Sequence, residues 1–208
     1  IFNKFQNNGQ TCICANRIFV HEDVAEAFIA KFVEKMQQLK VGNGMEDVDV
    51  GPLIHERALA KVDAHVRDAL AKGARLVCGG YRLTDGDFAK GAFYAPTVLT
   101  GVTEEMDIFH EETFGPVAPF ITFRTEEEVI RMANATPYGL AAYFYTRDLA
   151  TTMRVADRLE YGMIGINESA LGYVQAPFGG IKQSGTGREG GHHGMDDFLE
   201  YKYLNLNF

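Results

Sequence analysis

"VAPFITFRTEEEVIRMANATPYGLAAYFYTRDLATTMRVADRLEYGMIGIN", residues 117–167, decides the fold class. It opens with a short apolar run, "VAPFITF". "TEEEVIRMANAT" follows as a helix, with Thr125 as its cap. Glu126, Glu127 and Glu128 fill the first turn, where the helix dipole favours acids. "GLAAYFYT" is a second strand, "DLATTMRVADRLE" a helix capped by Asp148, and "YGMIGIN" a third strand. The strands are apolar throughout and do not alternate with polar residues. Strands of that kind are buried on both faces, as in a parallel sheet covered by helices.

The same alternation extends outward. "RIFV" (17–20) reads as a strand. In "HEDVAEAFIAKFVEKMQQLK" (21–40), Val24, Ala27, Phe28, Phe32, Met36 and Leu39 fall at helical spacing. A second amphipathic helix runs from about Glu56 to Lys72 and closes at Gly73. "RLVCGG" (75–80) is a strand with Cys78 packed inside. "FYAPTVLTGV" (93–102) is extended, and Pro96 marks it as an edge or a bend. Beyond residue 167 come a glycine-rich loop, "APFGGIKQSGTGREGGHHG" (176–194), and a tail of alternating residues, "EYKYLNLNF" (200–208). The expectation is an α/β fold: a three-layer arrangement of a mostly parallel sheet with helices on both faces. It forms one domain over residues 1–198, and residues 199–208 form a C-terminal oligomerisation strand.

Composition narrows the function. A chain of 208 residues with 46% hydrophobic content can bury a substantial core. A net charge of −8 without a basic cluster excludes a nucleic-acid surface. No apolar stretch reaches the ~18–20 residues of a membrane helix, so no membrane partner is expected. Three cysteines make no disulfide framework, which points to a reduced, cytoplasmic chain. The sequence starts at Ile1 with a cysteine motif almost at once, which reads as part of a longer protein.

That motif is "GQTCICANR", residues 9–17. Cys12 lies in a polar, glycine-led loop, where backbone N–H groups and solvent access favour a reactive thiolate. A small buried residue is the plainer alternative, and both stay open at this point. Cys14 is either a packing residue or a redox partner, since a C-x-C disulfide is strained and easily reduced. Four ligands with paired spacing are absent, so no metal is expected. "GTGREG" (185–190) matches a dinucleotide fingerprint, yet lacks the preceding strand and following helix that a phosphate loop needs.

"GQTC", "EETFGPV" (111–117) and "APFGGIKQSGTGRE" (176–189), in this order and spacing, resemble the aldehyde dehydrogenase superfamily over essentially the whole chain. "GQTCICANR" and "LEYGMIGIN" resemble most closely its succinate-semialdehyde branch. The resemblance implies the C-terminal, catalytic domain of an NAD- or NADP-dependent enzyme that oxidises a small aldehyde through a cysteine thiohemiacetal and thioester. It makes Cys12 the nucleophile, with its backbone N–H helping to hold the oxyanion. Glu112 becomes the acid on the nicotinamide ribose, and Phe114 the aromatic beside the nicotinamide. Gln6, Leu171, Gly172 and Phe178 line the substrate tunnel, and Cys14 is the redox partner of Cys12.

Two departures stand out. The branch commonly has an arginine where this chain has Gln6, and a serine near Gly172 and Tyr173. The resemblance also places the cofactor domain, the general base and an oxyanion asparagine upstream, so the 208 residues alone are expected to be inactive. It further implies a homodimer or homotetramer. The competing reading is a truncated, non-catalytic module with redox-sensitive cysteines that binds a partner chain. A thiol hydrolase is weaker, because nothing nominates His21, His55 or His110 as a base.

Overall fold

The computed structural model describes residues 1–208. They fall into two compact units, Ile1–Ala135 and Thr136–Phe208.

The first unit opens with a helical turn, α1 (Phe2–Phe5), and a 3-10 turn over Gln6–Gly9. Then come β1 (Ile18–His21), α2 (Glu22–Met36), α3 (Glu56–Ala71), β2 (Arg75–Cys78), β3 (Thr97–Thr100), α4 (Asp107–His110), β4 (Val117–Phe123) and α5 (Glu126–Asn134). The strands form one sheet in the order β1-β4-β3-β2. β1 and β3 both run parallel to β4, and β2 joins antiparallel at the edge.

Period-two alternation along β4 divides the core between two faces. Ala118 and Phe120 pack with Val20, Val98 and the Ala25, Phe32 and Met36 stripe of α2. Val117 and Ile121 pack with Leu99 and with Leu59, Val62, Val66 and Ala69 of α3. The unit is therefore a helix–sheet–helix sandwich, as the alternating pattern requires. Histidines cap both long helices: His21 accepts from Asp23 N–H, and His55 from Ala58 N–H. Thr125 caps α5 as read from the sequence.

Three local expectations change. β3 is central and wholly buried, because Pro96 lies one residue before it and costs the ladder no donor. The exposed edge is β2, where Leu76 and Val77 face solvent and Cys78 is half-buried. On α2, Val24 and Phe28 are about half exposed, because the helix centres its inward face on Ala25, Phe32 and Met36, with Ile29 and Val33 partly buried beside them.

The second unit contains β5 (Tyr138–Gly139), β6 (Ala141–Phe144), α6 (Leu149–Arg158), β7 (Met163–Ile166) and β8 (Ile181–Lys182). β6, α6 and β7 make a parallel βαβ unit with Ala141 opposite Met163. Asp148 caps α6 by accepting Thr151 N–H at 2.6 Å. β5 pairs antiparallel with β8, which lies inside the glycine-rich loop. Residues 199–208 pair with no strand of the chain and are exposed.

Candidate functional site

The chain rises into the cysteine loop through three consecutive left-handed residues, Asn7 (φ 49°), Asn8 (φ 59°) and Gly9 (φ 72°). Asparagine and glycine tolerate that conformation best, so "NNG" is a local code for this bend. A tight turn follows, closed by Cys14 N–H donating to Thr11 O at 2.9 Å. Cys12 occupies its first corner, exposed, and its own N–H has no acceptor within the chain. An accessible thiol beside a free backbone donor is what a nucleophile with an oxyanion contact needs. The small-buried-residue alternative for Cys12 does not fit this exposure. Both Cys12 and Cys14 are free thiols, and the Cys14 thiol points to Gln6 O at 3.7 Å.

Two tethers join this loop to the "EETFGP" turn, about a hundred residues away. Gly9 lies so close to Gly115 that a Cβ at position 9 would sit 2.2 Å from the Gly115 carbonyl oxygen. Asn16 then bridges the segments with both ends of its amide. Its Oδ1 accepts Thr113 N–H at 2.9 Å, and its Nδ2 donates to Glu111 O at 3.3 Å. Gln10 anchors the other side, accepting Ile54 N–H at 2.9 Å and donating to Pro52 O at 3.3 Å. Just downstream, Arg17 donates to Met132 O and Ala133 O, both at 2.8 Å, at the C-terminal end of α5. A cation there complements the helix dipole.

On the turn itself, Glu112 is exposed, yet partial burial of its carboxyl raises its pKa, against the pull of Lys61 and Lys4. Phe114 adopts a positive φ of 51° and leaves its ring 38% exposed and unpaired with any other ring. An accessible carboxylate two residues from an accessible ring suits a ribose diol joined to a flat heterocycle. The residues present therefore fit a nicotinamide nucleotide. No group of three or more histidine, cysteine, aspartate or glutamate side chains is placed to hold a metal.

Gln6 is exposed on the first unit. Leu171, Gly172 and Phe178 belong to the second unit, where Leu171 and Phe178 are half-buried and Gly172 is exposed. Phe178 and Glu189 exchange backbone hydrogen bonds at 2.7 Å in both directions. Arg188 donates to Gly180 O at 2.7 Å and Gly187 O at 2.9 Å. "GTGREG" thus folds back on "PFGG" as an arginine-centred clamp, in agreement with its rejection as a phosphate loop.

Lys4, Asn16 and His65 carry no signal in the sequence. Lys4 is buried, and burial lowers its pKa to about 8 from 10.5, although Cys14 and Glu112 pull it upward. Below pH 8 the folded chain holds this buried charge at full cost. Between 8 and 10.5 the folded state loses the proton before the unfolded state does, so stability rises with pH there. Lys4→Met is expected to stabilise the protein by about 1–3 kcal/mol below pH 8, a gain that fades towards pH 10.5. Denaturant unfolding of both proteins at pH 7 and pH 10 checks this; an equal difference at the two pH values would contradict it.

Comparison with known proteins follows this geometry. The sequence profile described as "Aldehyde dehydrogenase family" matches residues 1–204. A 3-sulfolactaldehyde dehydrogenase from Pseudomonas putida is 52% identical over 99% of this chain and 42% of its own length. The NADP(+) succinate-semialdehyde dehydrogenase of Escherichia coli is 50% identical over 97% of this chain and 41% of its own. The crystal structure of a succinate-semialdehyde dehydrogenase from Burkholderia pseudomallei superposes with a TM-score of 0.93. It is 54% identical and covers 97% of this chain and 41% of that one. The chain therefore spans about two fifths of the length of the relatives it matches.

Proposed function

The chain belongs to the aldehyde dehydrogenase family, and from that premise we propose that it carries the nucleophile and the nicotinamide-ribose acid of an NAD- or NADP-dependent enzyme oxidising a small aldehyde to its acid. One observation carries the reading. The exposed Cys12 turn is tied directly to the Glu112–Phe114 turn through Gly9 and Asn16.

The Cys12 thiolate attacks the aldehyde carbon, and the developing alkoxide meets the free Cys12 N–H. Glu112 would hold the ribose hydroxyls of a nicotinamide nucleotide, and the Phe114 ring would pack beside its heterocycle. As the alkoxide collapses to the Cys12 thioester its C–H bond breaks, and a bound nicotinamide would supply the acceptor for that hydride. Water then releases the acid from the Cys12 thioester. Gln6, Leu171, Gly172 and Phe178 are the proposed tunnel residues, and Cys14 is the proposed disulfide partner that would silence Cys12 under oxidation. A reduced, cytoplasmic setting suits chemistry that depends on a free thiolate. The exposed, unpaired tail of residues 199–208 is the proposed strand shared with a second subunit of a homodimer or homotetramer.

The proposed substrates carry a polar or anionic tail. Support comes from the relatives, whose names specify a sulfonated and a carboxylated aldehyde. Gln6 offers such a tail a neutral amide where a guanidinium would add a charge-assisted fork. One such bond contributes about 1.5–3 kcal/mol. Gln6→Arg is therefore expected to raise kcat/KM for succinate semialdehyde by roughly 10–100-fold relative to a neutral aliphatic aldehyde. Formation of reduced nicotinamide is followed in the native protein carrying this chain, on a panel of both aldehyde types, with NAD and NADP. Absence of turnover on every aldehyde would overturn the functional reading, and an unchanged ratio would remove Gln6 from the tail site.

A further inference from the structure

Two segments hold Glu112 in place, and only one of them, the Asn16 bridge, belongs to the cysteine loop. The other is a histidine in the middle of α3. His65 is 4% exposed and lies among Val62, Val66 and Ala69, which are closed to solvent. A buried imidazole needs partners for both nitrogens. His65 finds them in the two residues flanking Glu112: Nε2 lies 3.2 Å from Glu111 Oε2, and Nδ1 lies 3.2 Å from Thr113 Oγ1. With Nε2–H donating to the carboxylate, Nδ1 accepts the Thr113 hydroxyl. Thr113 is itself 2% exposed, and its N–H is already taken by Asn16.

Glu111 is extended (φ −101°, ψ 139°). One buried imidazole thus anchors the side chains on either side of Glu112, the exposed Glu111 carboxylate and the buried Thr113 hydroxyl, and fixes the backbone that carries Glu112. A slip of one residue would bring Glu112 onto His65 and remove it from its present exposed position. Phe114 follows directly at a positive φ of 51°.

We propose that His65 is a positioning residue that locks the register of the dinucleotide-binding turn and so presents Glu112 to the cofactor ribose. This rests on the dehydrogenase reading above. His65 touches neither cofactor nor substrate and acts through Glu112.

The test is a double-mutant cycle on the native protein carrying this chain, read as Kd for NAD+ and for NADP+ by titration calorimetry. His65→Leu is expected to raise Kd for the preferred dinucleotide about tenfold. KM for that dinucleotide should rise in parallel, with kcat and the aldehyde KM within about twofold. His65→Gln, which keeps a donor towards Glu111, should recover part of the loss. Glu112→Ala should weaken binding in the wild type and add little once His65 is Leu, because both act through one carboxylate. Thr113→Val, which keeps the volume and removes the hydroxyl, reads the same register if His65→Leu does not fold. An unchanged Kd in the variant that folds, or full additivity of the His65 and Glu112 effects, would overturn the positioning role alone. A wild type that binds dinucleotide and oxidises no aldehyde overturns the proposed reaction, while the cycle still decides His65. A wild type that binds no dinucleotide overturns both.

Discussion

Cys12→Ser is expected to lower aldehyde oxidation by about 10⁴-fold or more while leaving dinucleotide Kd within about twofold. A serine hydroxyl at this corner has the thiol's geometry and none of its acidity, and no histidine of this chain is placed to activate it. His21 and His55 cap helices, and His110 is held at 2.6 Å by Glu104 O. The effect should therefore fall on kcat and kcat/KM together. Iodoacetamide labelling separates this cysteine from the others. Exposed Cys12 should react first, and Cys78, whose pKa is raised by burial, last. Retained turnover in Cys12→Ser would end the nucleophile assignment. Equal, slow labelling of Cys12 and Cys78 would favour a redox or binding module.

Gly9→Ala carries the second large effect. Residue 9 has φ +72°, which costs an alanine of order 1 kcal/mol or more. Its Cβ would also meet the Gly115 carbonyl at 2.2 Å and carbon at 2.7 Å, with Lys4 O at 3.2 Å. All three are backbone atoms, so no side chain can swing aside. Strain and overpacking together predict a loss of about 3–5 kcal/mol. Either the fold pays that amount, or the cysteine loop lifts off the "EETFGP" turn. Denaturant unfolding reads the first outcome, and a weakened dinucleotide Kd at unchanged stability reads the second. A variant that matches wild type in both would show that the approach of Gly9 to Gly115 is dispensable.

The strands and helices of residues 117–167 were legible because period, caps and turn residues all act within a dozen positions. Cys12 was legible as a candidate for the same reason: polar neighbours and a glycine define its loop locally. Sheet order was not. Whether "RLVC" or "PTVLT" lies at the edge depends on which strand pairs with β4, and no local residue specifies that. Nor was the wiring of the site. Asn16 meets Thr113 across 97 positions, and His65 meets Thr113 across 48. Each reads locally as an ordinary loop amide or helix imidazole, and only the packing of α3 and the cysteine loop around one turn gives it a role.

The 97-residue span between Asn16 and Thr113 has a kinetic consequence. Loops that long close late, after local helices have formed and strands have begun to pair. A ribosome would have synthesised β1, α2, α3 and β3 well before the "EETFGP" turn emerged to meet the cysteine loop. If Cys12 is the nucleophile proposed above, fast Cys12 labelling during refolding is expected to begin only once the sheet around β4 has closed, and labelling that is already fast before then would contradict this order of events.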